Sequence, residues 1–116
     1  MAGQKNWEVD QNTTHTFEAI YEDQEGNPID LTGASAKMQV RDSKGGTKLA
    51  FTLTSPSGGI VIDPLNGKLT IKMTPTQTSK LFYPKSCYDI MITDSNLNKI
   101  KLLEGFLTLS RSVTIW

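Results

Sequence analysis

The chain has little of what chemistry usually needs. Cysteine occurs once, as Cys87, which excludes an internal disulfide framework. Its neighbours Ser86 and Tyr88 supply no nucleophile signature, and a lone free cysteine is expected to bury like a small apolar side chain. Histidine also occurs once. His15 is flanked by Thr14 and Thr16 on an amphipathic segment and is expected at the surface or its boundary. No second histidine or cysteine is available for a structural zinc site. Twelve basic and twelve acidic residues give a formal net charge of zero, without the basic patch that phosphate recognition requires. Nucleic-acid binding is therefore not expected. The apolar runs are too short to cross a membrane, which takes about 20 residues. The stretch Met1–Asn6 carries one charge and no apolar run behind it, unlike a secretory signal, so folding in a cytoplasm is the expectation. Gly45-Gly46 and Gly58-Gly59 fall between strand-like segments and not at a helix start, so they form no phosphate cradle.

What is present is period-two alternation, the signature of half-buried strands. Over Thr13–Glu22, Phe17, Ala19 and Tyr21 oppose Thr16, Glu18 and Ile20. Ala34, Ala36, Met38 and Val40 then alternate with Ser35, Lys37, Gln39 and Arg41. Leu49, Phe51 and Leu53 return the chain after the Asp42–Gly46 turn. The short strand Ile60–Ile62 meets the turn Asp63-Pro64-Leu65-Asn66-Gly67, where Asn-Gly suits left-handed backbone. Leu69, Ile71 and Met73 follow, and later Tyr88, Ile90 and Ile92. The last strand starts near Lys99, with a β-bulge expected where Leu102-Leu103 breaks the alternation close to Gly105. Leu107 and Leu109 resume it, and Val113 and Ile115 prolong it toward Trp116. Thr74-Pro75-Thr76-Gln77 is a capping-box helix start. One or two turns should follow before Pro84, bridging the two sheets.

These segments predict one domain: an all-β, immunoglobulin-like antiparallel sandwich of about seven strands with one short helix. Residues 13–116 form the sandwich, and residues 1–12 an N-terminal arm or edge strand. Met38, Val40, Leu49, Phe51, Leu53, Leu69, Ile71, Tyr88, Ile90 and Ile92 are the expected core.

No catalytic, cofactor or metal residues are assigned. Glu22-Asp23-Gln24-Glu25 is acidic but matches no calcium-loop spacing, and no carboxylate pair stands out as a general acid and base. Sugar binding by stacked aromatics leaves Tyr83, Trp7 and Trp116 as surface groups, because Phe17, Phe51 and Tyr88 fall on core alternation.

Four segments carry a family resemblance. They are Asp30-Leu31-Thr32-Gly33 before the strand ending at Arg41-Asp42, the Gly59-Ile60 to Asn66-Gly67 step, Tyr88-Asp89-Ile90, and Leu103-Glu104-Gly105 leading into Leu107–Ser110. Over residues 12 to 114 the chain resembles small immunoglobulin-like virion proteins of tailed bacteriophages and is similar to the N-terminal domain of the phage baseplate upper protein family. The resemblance implies a non-enzymatic building block of the tail, baseplate or collar, made in the bacterial cytoplasm. It would contact other virion proteins and copies of itself in a symmetric assembly. A head decoration protein and a carbohydrate-binding host-adhesion module are the alternatives. Trp7, Val113, Ile115 and Trp116 are the candidate protein-interface residues, since a solvated chain end would not be expected to carry such side chains. The competing reading packs both ends on the domain's own sandwich.

Overall fold

The period-two segments pair into two sheets. The computed structural model describes residues 3–55 and 58–114. In chain order the strands are β1 (Gly3–Gln4), β2 (Trp7–Asp10), β3 (His15–Ile20), β4 (Ser35–Arg41) and β5 (Leu49–Thr54). They continue with β6 (Ile60–Asp63), β7 (Lys68–Met73), β8 (Lys85–Thr93) and β9 (Lys99–Ser110), while helix α1 (Pro75–Thr78) lies between β7 and β8. The larger sheet runs β1-β9-β8-β4-β5, with β2 also pairing β9, and the smaller runs β3-β7-β6. This division of strands is that of an immunoglobulin-like sandwich. The predicted fold class is correct.

Inward-facing alternation supplies the core. Met38, Val40, Leu53, Leu69, Ile71, Ile90 and Ile92 are almost completely buried, and Phe51 and Tyr88 nearly so. Leu49 departs from expectation, remaining 44% exposed. The register of β4 on β5 slips between Val40 and Arg41, so that Arg41 pairs Leu49 while Val40 pairs Phe51. The extra residue, Ala50, turns Leu49 off the inward face.

Cys87 also departs from expectation. It lies half-buried on the outer face of β8, because Tyr88 and Ile90 take the inward positions and parity sends Cys87 the other way. The bulge expected in β9 is present. Ile90 pairs Leu103 and Met91 pairs Lys101, leaving Leu102 as the extra residue.

The capping box at α1 forms as its sequence specifies. The Thr74 hydroxyl accepts from the Gln77 N–H, and the Gln77 side chain accepts from the Thr74 N–H. The segment carries the chain from β7 in the smaller sheet to β8 in the larger. The last strand is shorter than predicted. β9 ends at Ser110, and Val113 lies beyond it at 99% exposure.

Candidate functional site

Residues 3–10 are bound to the domain by parallel pairing. Gly3 and Gln4 pair Leu103 and Glu104, and Trp7 to Asp10 pair Leu107 to Ser110. Between them the chain crosses Gly105 at Lys5-Asn6. A Cβ at Gly105 would overlap the Lys5 carbonyl oxygen, so only glycine admits this crossing. Lys5 N–H donates to the Glu104 carbonyl at 3.0 Å, and the Asn6 side-chain oxygen accepts from Phe106 N–H at 2.9 Å.

Trp7 is thereby aimed inward. Its ring stacks on Phe17 at 4.3 Å between centroids, and its indole N–H donates to the Tyr88 hydroxyl at 3.0 Å. Tyr88 in turn donates to the Lys5 carbonyl at 2.6 Å. Burial pushes the Tyr88 phenol up to about 12, against the smaller opposing pull of the Trp7 N–H it accepts. His15 packs edge-on to Trp7. Burial lowers its pKa, opposed by the nearby Asp10 carboxylate, and its buried Nε2 has no partner among the described residues. The structure therefore places Trp7 against its own sandwich. Val113 stands in solvent, and Ile115 and Trp116 lie outside the described residues. The two described candidates, Trp7 and Val113, do not share a surface.

A different surface does gather functional groups. On the outer face of the larger sheet a cleft of about 380 Å³ lies between the Lys5-Asn6 crossing and the 42–46 hairpin, lined in part by Arg41, Lys44, Asp89, Lys101, Glu104 and Phe106. Arg41 Nη2 donates to Gln39 Oε1 at 3.0 Å and Nη1 to the Gly46 carbonyl at 3.3 Å, which fixes its fork. Lys44 pairs Glu104 at 3.1 Å and Lys101 pairs Asp89 at 3.8 Å. The Lys44 ammonium holds the Glu104 carboxyl below its usual range. Phe106 is exposed beside this cleft, with the Lys85 ammonium 4.3 Å from its ring centre. Sequence reasoning passed over Phe106. The signal was available, since Leu107 and Leu109 point inward and parity sends Phe106 out.

Of the aromatics considered for sugar stacking, Trp7 is engaged internally. Tyr83 is exposed, with the Arg111 guanidinium 4.9 Å from its ring centre. The acidic group at 22–25 is organised as a turn. Asp23 Oδ1 accepts from the N–H groups of Glu25 and Asn27, both at 2.9 Å. Asp94 repeats this arrangement with Asn96 and Asn98 at the same distances. Gly26 takes φ 83° in the first loop, and in the second the equivalent position is held by Leu97 at φ 66°. Among the described residues, no group of three or more His, Cys, Asp or Glu is placed to hold a metal ion.

No protein-family model matches the chain, and no curated protein matches it. Among solved structures, 127 chains match. One is CopC from Methylosinus trichosporium OB3b, at 13% identity and a TM-score of 0.51, covering 96% of this chain and 89% of that one. At that identity the likeness establishes the fold alone, a β-sandwich.

Proposed function

We propose that the protein is a non-enzymatic structural component of a tailed-phage virion, a protein–protein assembly block of the tail, baseplate or collar. The observation that carries this reading is where the resembling segments lie. They meet as two tertiary pairs. Leu31 N–H donates to the Pro64 carbonyl at 2.9 Å, joining the Asp30–Gly33 and Asp63–Gly67 turns. Tyr88, Asp89 and Ile90 pair Gly105, Glu104 and Leu103 across β8 and β9. A resemblance carried by segments that touch is what a shared framework of turns and registers would leave. Mass spectrometry of purified particles, from the phage or induced prophage that carries the gene, tests the proposal. The chain should be present at a fixed ratio to known tail proteins. Its absence from particles overturns the reading. Its presence at capsid stoichiometry favours head decoration instead.

A second reading, sugar binding, is favoured by the outer-face cleft, where amide, guanidinium and carboxylate groups lie beside an exposed phenyl ring. Glycan-array signal that disappears in Phe106→Ala would support it.

A further inference from the structure

The zero net charge conceals a separation of charge along the molecule. The 22–34 segment, the 63–67 turn and the 94–98 hairpin gather at one end of the sandwich. The Tyr21 N–H bonds the Gly67 carbonyl at 2.7 Å, Leu31 bonds Pro64, and a Cβ built on Gly33 would lie 3.1 Å from Ser95 Cβ. These three loops hold Glu22, Asp23, Glu25, Asp30, Asp63 and Asp94, half of the chain's twelve carboxylates, which outnumber Lys68 and Lys99, the residues that open the strands leaving that end. The opposite pole carries Lys48, Lys80, Lys85 and Arg111, which outnumber the carboxylates there, Glu8, Asp10 and Asp42.

The molecule measures 43 × 26 × 24 Å. β9 alone has 12 residues and spans about 40 Å, so the strands run along the long axis. Opposite charges that far apart are screened from one another, since the Debye length is about 8 Å at physiological salt. Each pole therefore presents its own sign to whatever meets it.

The acidic pole also displays two leucines, Leu65 at 74% and Leu97 at 80% exposure. Leu97 holds a left-handed conformation that its twin loop assigns to Gly26, at a cost to the isolated domain and with no packing return. The basic pole displays Tyr83, another exposed apolar surface.

We infer that the acidic pole docks on the basic pole of a second copy of this chain, in a head-to-tail contact with Leu65 and Leu97 covered at its centre. The occupant is a second copy because one chain carries both halves of the complement, in charge and in apolar surface. Such a contact is heterologous, and it propagates into a ring or a filament. A pole has a cross-section of about 600 Å², smaller than the roughly 800 Å² per partner of a standard interface. A single contact is accordingly weak, and repetition supplies the strength. The inference names a partner for the assembly reading above but is tested apart from it. Self-association of the pure chain probes the interface, whereas presence in particles probes the virion role.

The test is sedimentation velocity of the full chain over a wide concentration range at low and high salt. Association should rise with concentration and weaken about tenfold or more between low and high salt. Two charge-reversal variants use exposed residues whose side chains make no hydrogen bond or ion pair among the described residues. One is Glu22→Lys with Glu25→Lys, and the other is Lys48→Glu with Lys80→Glu. Each alone should stay monomeric with an unchanged melting curve, and mixing the two should restore association. A concentration-independent monomer at low salt overturns the inference. So does a symmetric dimer that both variants leave intact, or a mixture of the two that fails to associate.

Discussion

The two ends of the chain invert the expectation their sequences raise. Trp7 stands alone in a polar arm, yet it is stacked on Phe17 and bonded to Tyr88. Val113 continues an apolar alternation, yet it is fully exposed past the end of β9. The difference lies in strand pairing. The N-terminal segment gains a backbone ladder on β9, and that ladder aims Trp7 at the gap between the sheets. The segment after Ser110 has side-chain ties, from Asn12 and Gln11 to Ser112, and no strand of its own among the described residues. An apolar side chain at a terminus is buried when backbone pairing carries it inward, and composition alone does not decide it.

The strongest challenge to this contrast is removal of residues 1–10. That change strips two strands from β9 and uncovers Phe17 and Tyr88. The shortened chain should lose its cooperative thermal transition by circular dichroism, and a melting temperature within a few degrees of the full chain would refute the account. Trp7→Ala should come next, costing about 3–5 kcal/mol in urea unfolding. Gly105→Ala should cost about 1–3 kcal/mol, because its methyl would occupy the path of the Lys5 carbonyl. An unchanged midpoint would mean that the Lys5-Asn6 crossing yields to a methyl group at no cost.

The pH dependence of stability sharpens the same junction. The Tyr88 pKa is raised in the folded state to about 12, above its ordinary value of 10.0, so folding favours the neutral phenol. Its contribution is complete below pH 10 and is lost as pH rises through about 12. Tyr88→Phe should therefore have a shallower fall of stability over that window, and an identical slope would sink the assignment. At the other terminus, Val113→Ala should shift stability by less than about 0.5 kcal/mol.

Much of the fold was readable because alternation and turn chemistry are local. The inward sets of β3, β4, β7 and β8, the capping box at Thr74 and the bulge in β9 all follow from neighbours in sequence. What misled was non-local, or a matter of residue type. Trp7 depends on parallel pairing with a strand about a hundred residues away, which no local pattern reports. Leu49 was displaced by a register slip that its own hairpin introduces. Cys87 was assigned to the core by the habits of cysteine, although the parity of Tyr88 and Ile90 already put it outside. Phe106 was missed through the same neglect of parity, and with it an exposed aromatic ring at the cleft.

The paired loops at 23–27 and 94–98 show how form and identity can be separated. In each, one aspartate carboxylate gathers two backbone N–H groups and sets the path of the chain. The side chain at the left-handed position is not part of that scaffold, since glycine and leucine both serve there, each donating its N–H to the aspartate carbonyl. Position 97 is thus a place where selection can rewrite the tip of the molecule, residue by residue, while the sandwich beneath it stays the same.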